Sequence, residues 1–295
     1  MAQTEDNSYP NIDHPTVAHF GQEWSRFTQQ EGGWGDDGQL QDAFAEYFAA
    51  LPPHALNRDA IVGDFGAGSG RWATFVAPLV SHLYVLEPSE AAMGVARSNL
   101  AEHKNVTYIQ EPIGGPSLRG GILDVAYSLG VIHHVPDSVQ ALRDVRGALK
   151  PGGSFLGYLY YAFDNRPGWY RAVWSLSDRI RSVVSKLRDR PKRITTDIAA
   201  TIVYFPLARI ARLVRTFGIS ASLVPLNQYA NKTYYVMRND ALDRFGTPLE
   251  QRFTRTQIQE MLHKAGFDVS TLVFSDHEPF WCFSVRTPAR GDVVV

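Results

Sequence analysis

Short apolar runs alternate with amphipathic stretches through most of this 295-residue chain. Helix-compatible segments at 71–80 and 138–149 separate runs of strand length, and a further helix is predicted over 253–267. The predicted strands cover 61–64, 82–86, 105–109, 122–127, 154–161, 268–274 and 280–286. Strands that alternate with helices predict an α/β fold with a mainly parallel sheet.

Closely spaced glycines follow the first predicted strand. Asp64 ends the strand, and Gly66, Gly68 and Gly70 occupy every second position after it. Glycine has no Cβ, so the backbone can turn sharply there and approach a ligand. The dinucleotide fingerprint requires a third glycine at the position of Arg71, so it is not met. The alternative interpretation, that these glycines serve only a structural turn, stays open at this point.

A second acid lies at the end of the next strand. Glu87, followed by Pro88, comes 17 residues after Gly70, which is the length of a helix and a strand. An acid in this position holds the ribose hydroxyls in nucleotide-binding α/β folds. The two acids therefore indicate a nucleoside ligand that also carries an amino group.

Three segments together resemble a known family. Asp64–Gly70 resembles motif I of the class I S-adenosylmethionine (SAM)-dependent methyltransferases, and "LGVIHHVPD" at 129–137 and "LKPGGSFLG" at 149–157 resemble the ubiquinone-biosynthesis type. The resemblance covers about 55–162 and resumes at 253–286. It implies a Rossmann-like sheet of seven strands with the last one antiparallel, and SAM as cofactor. The cofactor-binding residues that it implies are Asp64, Gly66, Gly68, Gly70, Glu87, Pro88, Glu111, Leu129 and Gly130.

Composition narrows the classes of function. A net charge of −1 argues against bulk nucleic-acid binding, and the single Cys282 excludes an internal disulfide. The N-terminal residues are polar, and no uncharged apolar run reaches the ~18 residues of a spanning helix. Histidines and acids show no metal-ligand spacing. A cytoplasmic enzyme without a metal is the expectation, and the sequence leaves its oligomeric state open.

Four regions are predicted along the chain. They are a leader with cap helices at 1–50, a SAM-binding domain at 51–162 and 248–286, a helical insertion at 163–247, and a flexible tail at 287–295. Phe20, Trp24 and Phe27 share one helical face in the leader. That face either packs on the body or forms a lid over the methionine end of SAM, with Trp24 or Arg26 shaping the pocket.

The insertion is expected to form a substrate cap, because α/β folds bind ligands at the carboxyl ends of their strands. Helices are predicted at about 167–190 and 196–217, with a bend at Pro206. The first carries an apolar stripe, and 166–193 holds nine Lys/Arg against two acids. Three interpretations compete: a hairpin packed on itself, a membrane-surface anchor, or a dock for an anionic substrate or carrier. We expect the apolar stripe to pack against other parts of the molecule, which disfavours binding of the protein to lipid vesicles.

Methyl transfer to oxygen or nitrogen needs a base, most often histidine. His133 and His134, just after the fourth strand, are the candidates, with His277 weaker. Predicted substrate-binding residues are Trp24, Tyr160, Tyr161, Asn165, Arg166, Tyr229 and Tyr234. The favoured function is methylation of a small molecule in natural-product, glycan or lipid-linked metabolism. The alternatives are a SAM-binding regulator without transferase activity, other sulfonium chemistry, or methylation of a lipid or quinone at a membrane surface.

Overall fold

A computed structural model describes residues 9–28, 37–218, 220, 224–276, 281–289 and 291. The chain divides into two compact units, which are described separately. The sheet unit comprises Met1–Ser25, Ala43–Asn165 and Leu249–Val295. The helical unit comprises Arg26–Asp42 and Arg166–Pro248.

Seven strands of the described chain form one sheet in the order β3-β2-β1-β4-β5-β7-β6. Strand β7 runs antiparallel to both of its neighbours, and the other paired strands are parallel. The strands are β1 Ile61–Phe65, β2 His82–Leu86, β3 Val106–Ile109, β4 Leu123–Leu129, β5 Leu149–Tyr158, β6 Asp268–Phe274 and β7 Cys282–Arg286. The predicted Rossmann-like sheet with an antiparallel last strand is confirmed.

Ten α-helices connect or extend these strands in the described residues. They are α1 His14–Arg26, α2 Asp37–Phe48, α3 Ala73–Val76, α4 Glu90–Asn99, α5 Ser138–Ala148, α6 Gly168–Val184, α7 Asp189–Ala199, α8 Phe205–Thr216, α9 Tyr234–Gly246 and α10 Arg255–Ala265. Short 3₁₀ segments lie at Ala77–Leu79, Ile132–His134 and Asn227–Tyr229, and a π-helical segment at Ala200–Tyr204. Side-chain caps begin α4 at Ser89, α5 at Asp137, α9 at Thr233, and α10 at Thr254 in a capping box with Gln257.

The longest strand differs from its prediction at both ends. β5 begins at Leu149 instead of Ser154, because Leu149 pairs with Leu123 before a register shift brings Ser154 opposite Val125. The sequence Lys150-Pro151-Gly152-Gly153 lies inside this irregular stretch and suggested a turn. Regular pairing with β4 and β7 resumes at Ser154, whereas Gly152 within this stretch has φ +75° and donates its N–H to the carbonyl of Pro288.

The helical unit also differs from its prediction. Helix α6 ends at Val184 and α7 begins at Asp189, whereas one continuous helix was predicted to about Arg190. From Asp189 to Thr216 it stays helical, with the π-helical turn directly before Pro206. Pro206 lies in the first turn of α8, where its missing N–H costs little.

The large side chains of α6 are exposed, so the expectation that the apolar stripe packs within the molecule is wrong. Val173, Leu176, Ile180 and Val183 are 49–65% exposed. Periodicity shows which residues share a face of a helix, but it does not show which face is buried. No helix in the described part of the chain has both the length and the apolar character that a membrane crossing needs.

Candidate cofactor and active site

A cleft opens in the sheet unit beside the carboxyl ends of β1, β2 and β4. Its empty space amounts to about 950 Å³ when the open mouth is included. The sheet contributes its floor, and α1 with the residues before it contributes one wall. The lining residues are Asn11, Ile12, Asp13, Thr16, Val17, Phe20, Trp24, Asp64, Gly66, Ala67, Gly68, Ser69, Arg71, Trp72, Glu87, Pro88, Glu111, Pro112, Ile113, Leu129, Gly130, Val131, His134 and Val135.

The glycine turn after β1 brings the backbone to the edge of this cleft. Gly66 has φ +82° and Gly68 has φ +56°, which other residues adopt only with strain. A Cβ on Gly68 would lie 2.7 Å from Nε1 of Trp24. Gly70 does not line the cleft, and a Cβ there would contact Ala96 and Leu100 at 3.2 Å. We assign Gly70 to packing against α4.

Glu87 is the more strongly anchored of the two acids. Its Oε2 accepts the Gly68 N–H at 2.9 Å and its Oε1 accepts the Ser89 N–H at 2.9 Å. Burial raises the pKa of Glu87 to about 7, although these two hydrogen bonds act in the opposite direction. Each carboxylate oxygen has a second lone pair, so the side chain can accept two further hydrogen bonds. A vicinal diol supplies that number of donors.

Asp64 is only 3% exposed, and its Oδ2 has no hydrogen-bond partner among the described residues. Burial raises its pKa to about 8; the hydroxyl of Tyr127 lowers it, and the charge of Glu87 raises it further. Tyr127 lies opposite Asp64 in the β1–β4 register, but no hydrogen bond of normal geometry joins their side chains. A buried carboxylate with an unused oxygen suits a cationic donor such as an α-ammonium group.

The described residues therefore fit SAM. Asp64 would hold the amino group of SAM, and Glu87 would hold its ribose hydroxyls. The glycine turn would let the backbone approach the cofactor closely. Pro88, Ile113 and Leu129 offer apolar surface for a flat base. Glu111 also lines the cleft, and its carboxylate accepts hydrogen bonds from the backbone N–H and the hydroxyl of Ser117.

Helix α1 forms one wall of the cleft, and its role as a lid over the methionine end of SAM stays a prediction. Phe20 and Trp24 both line the cleft, and the guanidinium of Arg71 lies 5.7 Å from the Trp24 ring and 4.5 Å from the Trp72 ring. From the sequence, Arg71 was considered only because it occupies a position where the dinucleotide fingerprint requires glycine, and Trp72 was not considered. Their position directly after the glycine run was the signal that could have found them.

The two adjacent histidines have different environments. His134 lines the cleft, and its Nδ1 lies 2.7 Å from the carbonyl oxygen of Leu249. Because a carbonyl only accepts, Nδ1 carries the proton and Nε2 keeps its lone pair in the neutral ring. His133 is fully buried and stacks on Tyr160 at 3.8 Å. Burial, with smaller contributions from His134 and Arg252, lowers the pKa of His133 well below its ordinary value.

Most of the predicted substrate-binding residues lie outside the cleft lining. Trp24 lines it, whereas Tyr160 packs on His133 and Tyr161 contacts Phe163 edge-on. Asn165 is exposed at the end of the second segment of the sheet unit. Three belong to the helical unit: Arg166 lies over Tyr170, Tyr229 packs on Tyr204, and the Tyr234 hydroxyl bonds to Thr201. His277 lies outside the described residues. Substrate roles for these residues stay predictions.

Known proteins share the segment that forms most of this cleft. A family model described as "Methyltransferase domain" matches residues 63–157, which include the glycine turn, Glu87 and both histidines. The ubiquinone biosynthesis O-methyltransferase of Pectobacterium atrosepticum is 25% identical over 172 residues, covering 57% of this chain and 69% of that protein. The protein of the same name from Vibrio parahaemolyticus is 26% identical over 145 residues, covering 48% and 61%.

Solved structures share the fold at low sequence identity. A possible exported protein from Bordetella parapertussis superposes with a TM-score of 0.52 at 18% identity, over 91% of this chain and 79% of that one. The CurJ carbon methyltransferase gives a TM-score of 0.50 at 14% identity, over 94% and 62%. These likenesses establish the architecture of the sheet.

The strand order, the glycine turn and the buried acids agree with the match of the methyltransferase domain. The chain carries a SAM-dependent methyltransferase domain with the class I fold, and SAM is its cofactor.

Proposed function

We propose that this enzyme methylates a hydroxyl group of a small, partly aromatic acceptor. The observation that carries the proposal is the position of His134, which lines the same cleft as Asp64 and Glu87. A hydroxyl is a weak nucleophile until a base takes its proton during the transfer, and histidine is the most frequent base. Phe20, Trp24 and Trp72 give the cleft flat apolar walls that suit a ring.

SAM supplies an electrophilic methyl group. Asp64 and Glu87 would hold the donor at the carboxyl ends of β1 and β2, beside the glycine turn at 66–68. His134 accepts the acceptor's proton on Nε2, while the Leu249 carbonyl holds Nδ1–H and stabilises the imidazolium that forms. Fixed orientation of the two reactants supplies several kcal/mol of the barrier, up to about 7–11 in favourable cases.

The names of two relatives support oxygen as the accepting atom. Both are ubiquinone biosynthesis O-methyltransferases, and the Pectobacterium atrosepticum protein aligns with this chain over 172 residues. Amine acceptors stay the second candidate, since an ammonium group must also lose a proton before it can attack.

The direct test uses SAM labelled with a heavy isotope in its methyl group. The enzyme is incubated with fractionated cell extract, and mass spectrometry detects compounds that gain the labelled methyl. Fragmentation then assigns the methyl to oxygen or nitrogen. A labelled phenol or alcohol supports the proposal, and a labelled amine as the main product contradicts it.

The role of His134 is tested by His134→Gln. Loss of a positioned base should lower kcat by about 10²- to 10⁴-fold while the Kd for SAM stays within about twofold. His263→Gln on the exposed surface of α10 is the matched control and should leave kcat unchanged. An unchanged kcat in His134→Gln, measured with a folded protein, would remove His134 from the mechanism.

A further inference from the structure

An outer apolar face covers part of the helical unit, on α6, α7, the π-helical segment and α8. Among the described residues, sixteen large hydrophobic side chains are exposed, and thirteen of them lie between Trp169 and Phe217. They are Trp169, Val173, Leu176, Ile180, Val183, Ile194, Ile198, Ile202, Val203, Phe205, Ile210, Leu213 and Phe217. Isolated exposed apolar residues are normal, but such a concentration marks a surface that something else covers.

Helix α6 is oriented with its apolar side outward. Leu176 is 60% exposed and Val183 65%, whereas the charged Arg181 is buried. Its guanidinium donates to Asp178 at 2.7 Å and to the carbonyls of Thr247 and Pro248 at 3.0 and 3.1 Å. A helix on the surface of a water-soluble core normally has the opposite arrangement.

The segment from α7 to α8 likewise has its large apolar side chains on the exposed side. The buried positions recur at helical spacing and carry small or polar side chains: Lys192, Thr196, Ala200, Tyr204, Ala208 and Ala211. The large aliphatic and aromatic side chains, such as Ile202 (66% exposed) and Phe217 (73% exposed), are on the other side. Small residues let α9 pack closely through Met237 and Ala241, so the inner side is satisfied without the large ones.

The charges around this face are almost all positive. Exposed cations on 166–217 are Arg171, Arg179, Lys186, Arg188, Arg190, Arg212 and Arg215, and the exposed acid on the same segment is Asp189. The other two acids are already engaged within the unit. Asp178 pairs with Arg181 at 2.7 Å, and Asp197 pairs with Arg26 at 2.7 Å and with Arg238 at 2.9 Å.

We infer that the outer apolar face binds an anionic lipid surface. Large aliphatic side chains with Trp169 and Phe217 would enter the acyl boundary, and the surrounding cations would meet the headgroup phosphates. Binding of a second copy of this chain would bring two positive surfaces together, which charge repulsion disfavours. This inference concerns where the enzyme works and is independent of which atom it methylates.

The test is co-sedimentation of the full chain with phosphatidylcholine vesicles that contain or lack phosphatidylglycerol. Binding should require the anionic lipid and weaken as salt rises above roughly 0.15 M, where charges farther apart than about 8 Å are screened. Arg179→Glu combined with Lys186→Glu and Arg188→Glu should weaken it by more than about tenfold. Arg181 is left intact in this variant because it is buried in the ion pair with Asp178.

A second variant tests the apolar contribution. Leu176→Ser combined with Val183→Ser and Leu213→Ser should abolish sedimentation with the vesicles, since these side chains are 58–65% exposed and make little contact within the molecule. The matched control is Leu79→Ser with Val273→Ser, two exposed apolar residues of the sheet unit, which should bind as the wild type does. SAM binding by every variant verifies that it is folded.

Two results would overturn the inference. One is equal sedimentation of the wild type and both triple variants. The other is a dimer of the wild type by light scattering that the apolar triple variant converts to a monomer, with no vesicle binding by either, because this identifies a second copy as the partner. Neither result bears on methyl transfer, which is measured with labelled SAM in the absence of lipid.

Discussion

At the scale of single residues, two buried acids and one histidine, His134, line the cleft. Asp64 and Glu87 are both nearly inaccessible, and each has its pKa raised by burial, to about 8 and about 7. Without a cation beside them, a large share of both carboxyls is therefore protonated at neutral pH. Bound SAM supplies positive charge and hydroxyl donors, which favour the ionised forms.

Glu87→Ala should weaken SAM binding by about 1.5–3 kcal/mol, because two ribose hydroxyls lose a charged acceptor. The same change leaves the backbone N–H groups of Gly68 and Ser89 without their acceptor, so part of the loss is local loosening. Titration calorimetry measures the affinity, and Glu102→Ala at an exposed position serves as the control. Unchanged affinity in Glu87→Ala would contradict the ribose assignment.

The stability of the SAM-free protein should fall as pH rises from about 5 to about 8. Asp64 and Glu87 have ordinary pKa values of 3.8 and 4.5, and the folded state raises both. The folded state thus binds more protons than the unfolded state across this window, so raising the pH favours unfolding. Denaturant unfolding at several pH values measures the free energy of unfolding and its decline.

Asp64→Asn is the matching variant for this pH dependence. An amide does not ionise, so the decline of stability with pH should be shallower than in the wild type. SAM affinity of the wild type should rise with pH over the same window, with protons released on binding. A flat pH profile in the SAM-free wild type would show that these carboxyls ionise freely in the fold.

At the scale of elements, the turn at 66–70 and helix α1 depend on each other. Gly68 faces the indole of Trp24 closely enough that a Cβ has no room. The side chain of Trp24 in turn lies against Arg71. A segment distant in sequence thus forms one wall of the cleft above the glycine turn.

Gly68→Ala should therefore lower both SAM affinity and thermal stability. The added methyl group would meet Nε1 of Trp24 at 2.7 Å, and alanine at φ +56° adds strain of about 1–2 kcal/mol. Gly94→Ala is the matched control: Gly94 lies in α4 with nothing within 4 Å of its Cβ position. That change should stabilise by about 0.5–1 kcal/mol. Calorimetric melting with and without SAM measures both, and equal effects of the two substitutions would contradict the Gly68 contact.

At the scale of the whole molecule, the chain forms a sheet unit and a helical unit. That the insertion at 163–247 caps the active site stays a prediction. The linker Ser185–Arg188 between α6 and α7 offers a test, because its Lys186 and Arg188 are exposed.

Trypsin should cut first in this linker. If the insertion closes over the cofactor, SAM should slow the cutting at least severalfold; mass spectrometry of the fragments identifies the site. Lys186→Gln with Arg188→Gln should remove the early cut and confirm the assignment. Equal rates with and without SAM would make the insertion an appendage that does not respond to the cofactor.

The sequence by itself determined the number of strands and their succession along the chain, the glycine turn and the acids at the ends of β1 and β2. These features follow from local patterns: alternation of strands and helices, and residue types that only certain backbone positions tolerate. Antiparallel pairing of β7 came from the family resemblance and is confirmed. Residues 63–157, where the local signals are dense, are also those that the methyltransferase model matches.

The tertiary structure decided which of the adjacent residues His133 and His134 lines the cleft, and which side of helix α6 is exposed. His133 and His134 are equivalent in sequence, but packing on Tyr160 buries one, and the Leu249 carbonyl, more than a hundred residues away, orients the other. The stripe on α6 was correctly recognised, yet its exposure depends on what Arg181 and the small residues of α7 and α8 contact. Periodicity fixes the angular positions of residues around one helix. Only long-range contacts determine which face of that helix is buried and which is exposed.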